Sequence, residues 1–122
     1  MEVDDLLRVS DVVSLHCPLL PSTENLINER TLKLMKPTAY IINTSRGGLI
    51  DEAALIKALE NDELAGAGLD VIKTEPPRED DPLYTTKNVI ITPHIGWATR
   101  EARQRIVTTV EQNYSEFLAA QK

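Results

Sequence analysis

Short apolar runs alternate with helix-sized segments along the whole of this chain, and each run carries a polar residue at or next to its end. The runs read as strands at Asp11 to His16, Ala39 to Asn43, Ala65 to Val71 and Asn88 to Thr92. Parallel strands need crossover connections, usually helical and right-handed, and a sheet built that way is expected to be covered on both faces. The expected fold class is therefore α/β. The polar residue at the end of each run matters because the ligand crevice of an open parallel sheet lies outside the carboxyl ends of its strands.

The segments between the strands carry helix signals. Val3 to Ser10 reads as a helix tail, and Val12, Val13 and Leu15 of the first strand are expected in the core. Asn28 can cap a helix over Glu29 to Met35 that Pro37 terminates, and Asp51 is a good N-cap before Glu52 to Leu59. Gly66 and Gly68 suggest close backbone approach in the third strand. Lys73 to Lys87, with Pro76, Pro77, Pro82, Glu79, Asp80 and Asp81, has the composition of an acidic linker. From Thr99, the spacing of Ala102, Ile106, Val110, Tyr114 and Phe117 predicts one helix running to Ala120, roughly 33 Å long.

Charge and composition narrow the partners. A formal charge of -6 offers no basic footprint for a nucleic-acid backbone. No apolar run approaches the roughly 20 residues that span a bilayer, and the acidic N-terminus lacks the order of a signal peptide, so a cytoplasmic location is expected. The single Cys17 cannot form an intramolecular disulfide, and with two separated histidines it offers no zinc pattern; no metal is expected.

Three side chains stand at strand ends with useful chemistry. Arg46 lies in Ile42-Asn43-Thr44-Ser45-Arg46-Gly47-Gly48-Leu49-Ile50-Asp51, a glycine-softened turn between a strand and a helix start. Its planar guanidinium suits a carboxylate, and taken alone it could equally be a surface arginine capping carbonyls. His94, in Ile91-Thr92-Pro93-His94-Ile95-Gly96-Trp97, is a candidate proton donor, since an unperturbed imidazole titrates near pH ~6.5. Glu75, in Thr74-Glu75-Pro76-Pro77, could hold the far ring nitrogen and stabilise the imidazolium. Each also has an ordinary reading, His94 as a structural histidine and Glu75 as a solvated loop carboxylate. Asp70, which follows Ala67-Gly68-Leu69, could simply cap a turn; Cys17 could be a small buried hydrophobe, and His16 is read as structural.

Taken in order, the Arg46 turn, Ala67-Gly68-Leu69-Asp70-Val71, Thr74-Glu75-Pro76-Pro77 and the His94 segment resemble the C-terminal half of the nucleotide-binding domain of D-isomer-specific 2-hydroxyacid dehydrogenases, from about Val9 onward. The resemblance implies half of a Rossmann-like, doubly wound parallel sheet over residues 1–98, and a C-terminal helix over residues 99–122 that crosses to a substrate domain. It implies that Arg46, Glu75 and His94 are catalytic, and that Cys17, Thr44, Ser45, Arg46, Asp70, His94, Gly96 and Trp97 line NAD(H) or NADP(H). The run around Trp97 is more similar to the glycerate dehydrogenase, or hydroxypyruvate reductase, branch than to the phosphoglycerate branch, and a bulky ring there would favour a small substrate. The implied reaction is hydride transfer between the cofactor and a small 2-keto or 2-hydroxy acid such as hydroxypyruvate or glyoxylate, in a parent that is a homodimer.

No Gly-x-Gly-x-x-Gly fingerprint occurs in the 122 residues, which reads as a C-terminal fragment, inactive by itself. Two other roles fit the same motifs. The resembled family includes dinucleotide-sensing transcriptional corepressors with the same three residues, and a half-domain could persist as a self-associating module through an exposed strand edge.

Overall fold

The computed structural model of the chain describes residues 1–121, so of the expected helical segment only Lys122 lies outside the described residues. Its elements in order are α1 (Val3–Val9), β1 (Val12–Leu15), α2 (Glu29–Leu32), β2 (Tyr40–Asn43), α3 (Glu52–Glu60), β3 (Gly66–Leu69), β4 (Val89–Ile91) and α4 (Arg100–Ala119). The four strands form one sheet in the order β1-β2-β3-β4, every pair parallel.

Register fixes which side chains form the core. Val13, Ile41, Ala67 and Val89 are neighbours across the sheet, as are Leu15, Asn43, Leu69 and Ile91. Because successive strand residues point to opposite faces, these two rows share one face. All but Asn43 pack with Leu32 of α2 and Leu55 and Leu59 of α3 in a single apolar cluster. Val12, Tyr40 and Ile90 point the other way and are 59%, 51% and 72% exposed. Two expectations are corrected here. Val12 is not in the core, since the two-residue period sets it opposite Val13, and within the described residues the sheet is covered on one face only. Both crossovers, through α2 and α3, pass over that face, and the β3–β4 connection contains no α-helix.

Local chemistry explains most element boundaries. Asn28 caps α2 through a capping box: its Oδ1 accepts from the Arg30 and Thr31 amides at 3.0 and 3.3 Å, and Thr31 Oγ1 accepts from the Asn28 amide at 2.7 Å. The helix closes at Leu32 rather than Met35. Its last turns tighten instead, with the Leu34 amide donating to Thr31 and the Met35 amide to Leu32, ahead of Pro37. Asp51 Oδ1 accepts from the Ala54 amide at 3.2 Å and starts α3, as its position suggested. At Gly66 and Gly68 the space is taken by side chains of β2 as much as by backbone: a Cβ on Gly66 would sit 3.0 Å from both the Tyr40 ring and the Asn88 carbonyl, and one on Gly68 would sit 3.0 Å from Ile42.

The acidic segment is not a loose linker. A 3-10 turn at Pro82–Tyr84, capped by Asp81, inserts Leu83 into the core at 2% exposure. The predicted C-terminal helix is present, with Thr99 as its N-cap, but no residue of it is buried; Ile106, Val110, Tyr114 and Phe117 are more than half exposed. No helix among the described residues is long and apolar enough to cross a membrane.

Candidate active site

The carboxyl ends of the strands carry the polar residues. At the end of β2, Asn43 turns its amide back under the chain. Its Nδ2 donates to the Arg46 carbonyl at 2.9 Å and its Oδ1 accepts from the Ser45 amide at 3.1 Å, with the side chain fully buried. Ser45 Oγ donates to the Leu15 carbonyl at 2.8 Å, tying this turn to the end of β1. Gly47 then presses on the next crossover: a Cβ there would lie 2.0 Å from the Ile72 carbonyl carbon and 2.3 Å from the Lys73 nitrogen. Only glycine fits that contact. Arg46 is thereby exposed at the strand end, where its guanidinium donates to the Ser45 carbonyl at 2.7 Å.

His94 is held in the left-handed region at φ 54°, an uncommon state for a residue with a side chain. Asp70, buried at the end of β3, secures the backbone around it. The carboxylate accepts from Thr92 Oγ1, from the Ile95 amide at 3.0 Å and from the Gly96 amide at 2.8 Å. Burial pushes the Asp70 carboxyl upward, but these three donors, with His94 nearby, outweigh it and hold the group below its ordinary range. Gly96 keeps the approach open, since a Cβ would stand 3.1 Å from Asp70 Oδ2. Trp97 closes the loop by donating from Nε1 to the His94 carbonyl at 2.9 Å, with the ring 54% exposed.

Glu75 meets this histidine. Its Oε2 lies 2.7 Å from His94 Nδ1, and its Oε1 accepts from the Ile72 amide at 3.1 Å. The hydrogen bond to His94 dominates in holding the Glu75 carboxyl below its ordinary range; partial burial opposes it, and the Ile72 amide and the charges of His94 and Arg46 add to it. Beside the pair opens a cleft of ≈ 410 Å³ lined by Asp70, Ile72, Glu75, Pro76, Tyr84 and His94.

Of the residues read from the sequence, the structure joins Glu75 to His94 directly and brings Arg46 within electrostatic reach of Glu75. Asp70, Gly96 and Trp97 surround His94. Cys17 is half-buried against the apolar cluster, Thr44 is exposed at the β2 end, and His16 Nε2 bonds Ser14 Oγ at 2.8 Å, away from the pair. Sequence reasoning did not single out Asn43 or Thr92, each the polar residue closing an apolar run. Among the described residues, no group of three or more His, Cys, Asp or Glu side chains is arranged to hold a metal ion.

A parallel α/β sheet with a carboxylate–imidazole pair and an arginine at its strand ends has the layout of a ligand-binding α/β domain. Its family is given by residues 1–96, which match the D-isomer specific 2-hydroxyacid dehydrogenase, NAD binding domain; the chain belongs to that family. It is 49% identical over 118 residues to the hydroxypyruvate reductase of Blautia hydrogenotrophica, covering 97% of this chain and 37% of that protein. The solved structure of a D-isomer specific 2-hydroxyacid dehydrogenase from Lactobacillus delbrueckii ssp. bulgaricus, in NAD complexed form, is similar with a TM-score of 0.90 and 38% identity, over 98% of this chain and 40% of that one. An acyclic imino acid reductase in complex with NADPH and D-Arg is similar with a TM-score of 0.89 and 38% identity, over 98% of this chain and 38% of that one. The chain thus spans little more than a third of the length of the proteins it matches.

Proposed function

We propose that this chain supplies the substrate-gripping and proton-donating part of a nicotinamide-dependent reductase of small 2-keto acids, with hydroxypyruvate and glyoxylate as the substrates to test. The observation that carries the reading is the Glu75–His94 pair, 2.7 Å apart, at the carboxyl edge of the sheet. Arg46 is the cation for the substrate carboxylate, its fork able to donate two parallel hydrogen bonds. Glu75 occupies His94 Nδ1, so proton exchange with the reacting oxygen falls to Nε2. The carboxylate fixes the orientation and tautomer of the ring, and Asp70 keeps the left-handed loop from relaxing.

The donor set fits the nicotinamide side of a dinucleotide. Asp70 has about four lone-pair positions and uses three, leaving one acceptor on Oδ2 for a carboxamide N–H. Thr44, Ser45, Gly96, Trp97 and half-buried Cys17 complete the proposed wall on strand ends. When bound, the cofactor supplies the hydride, and the chain's own residues orient the acid, exclude water from one side and move the proton. We assign residues 1–98 to the cofactor-binding domain and residues 99–122 to a helix that extends toward a substrate domain, in a parent that is a homodimer.

The test is a graft in which this chain replaces the matching segment of the Blautia hydrogenotrophica hydroxypyruvate reductase. The graft is expected to reduce hydroxypyruvate and glyoxylate faster than a branched apolar 2-keto acid, with either NADH or NADPH as donor. A folded graft that binds cofactor but turns over none of these acids would contradict the reading.

A further inference from the structure

We propose that Asn43 is the positioning residue of Arg46, so that the grip on the substrate carboxylate is set by a buried amide outside the catalytic pair. The inference deepens the function proposed above and rests on Arg46 as the carboxylate cation. Asn43 is fully buried, yet both ends of its amide are used on the turn that carries Arg46: Nδ2 donates to the Arg46 carbonyl at 2.9 Å and Oδ1 accepts from the Ser45 amide at 3.1 Å. A buried amide satisfied at both ends specifies one backbone path, because leaving either partner unpaired carries a desolvation penalty.

The path so fixed is short and is anchored on three sides. Ser45 Oγ ties it to Leu15, and Gly47 sits against the Ile72 backbone without room for a Cβ. The amide of that same Ile72 donates to Glu75. Among the described residues the Arg46 side chain makes only one hydrogen bond, to the carbonyl of its own neighbour Ser45, and it is exposed. That one bond is to the backbone of the turn itself, so where the guanidinium stands follows the path of residues 45–46, and Asn43 holds that path.

Two measurements test the proposal. In the 122-residue chain, 15N relaxation of the amides of residues 44–48 is expected to show increased motion in Asn43→Leu, with the folded state retained by circular dichroism. Asn43→Ser, which keeps a polar group in the space, serves the same test where the leucine variant does not fold. In the graft, Asn43→Leu or Asn43→Ser is expected to raise KM for hydroxypyruvate about tenfold, the scale of one lost hydrogen bond to a charged-group site, with a smaller change in kcat. The same substitution made on Arg46→Ala is expected to cost nothing further, since its effect passes through the guanidinium.

Unchanged order at residues 44–48 would overturn the proposal. So would losses that multiply when Asn43 and Arg46 are changed together, which is the behaviour of a residue serving overall stability alone. An Arg46→Ala graft with unaltered KM would instead remove Arg46 from substrate binding, while the relaxation measurement still decides whether Asn43 orders the turn.

Discussion

His94, the proposed proton donor, is held on a loop in a single backbone state. Its φ of 54° is the kind of backbone state that costs of order 1–3 kcal/mol for an ordinary residue, and it persists because Asp70 takes the two amides that follow it and the Thr92 hydroxyl before it. His94→Ala in the graft is expected to lower hydroxypyruvate reduction by on the order of a hundredfold or more with cofactor affinity little changed, measured by steady-state kinetics and NADH titration. Arg46→Lys is expected to lower kcat/KM by roughly tenfold to a hundredfold, because a point ammonium cannot reproduce the paired donors of a guanidinium. Glu75→Gln replaces the carboxylate 2.7 Å from Nδ1 by a neutral amide that holds the ring less firmly, and is expected to lower kcat for hydroxypyruvate in the graft by roughly tenfold with KM little changed. An unchanged kcat would return Glu75 to the solvated loop that its composition suggests.

At the scale of elements, caps were legible and faces less so. Asn28 and Asp51 cap the helices their positions in the sequence indicated, since a short acceptor before an apolar run has one local partner set, and Thr99, read only as the start of the last helix, caps it as well. Val12 and the far face of the sheet were misread because alternation identifies two faces without saying which of them is covered. The acidic segment hid Leu83, one apolar residue among prolines and carboxylates that composition averages away. Two predictions belong here. Leu55, fully buried between α3 and the sheet, is expected to cost about 2–5 kcal/mol as Leu55→Ala, measured by urea unfolding of the chain. Glu29 joins α2 to α3 by accepting from Lys33 at 2.9 Å and Lys57 at 3.0 Å, which lower its pKa from 4.5 to about 2. A carboxylate depressed in the folded state stabilises fully above its unfolded pKa and loses that contribution as pH falls through the folded value. The difference in Tm between the chain and Glu29→Gln is therefore expected to shrink between pH 4.5 and pH 2, and a difference constant over that range would show that the bridges contribute nothing.

For the whole molecule, the sequence carried the family and the order of its motifs, while the packing that makes the motifs one site lay in contacts between distant segments. Glu75 finds His94 across 19 residues, Asp70 finds Gly96 across 26, and neither distance is written in a local pattern. Asn43 was hidden for the same reason: within a strand, an asparagine reads as the end of an apolar run until its amide is seen turned under the following turn. The acceptors proposed for the nicotinamide side stand at strand ends, and no glycine fingerprint occurs in the 122 residues to cradle a pyrophosphate. Calorimetry of the chain alone is accordingly expected to show NADH binding weaker than micromolar. The central claim, that this chain holds the acid and the carboxylate grip of a 2-keto acid reductase, is tested most directly by the rate of hydroxypyruvate reduction in the graft, measured beside the double variant Arg46→Ala/His94→Ala. Turnover by the graft that falls by two or more orders of magnitude in the variant is the predicted result. A variant as fast as the graft would contradict the account.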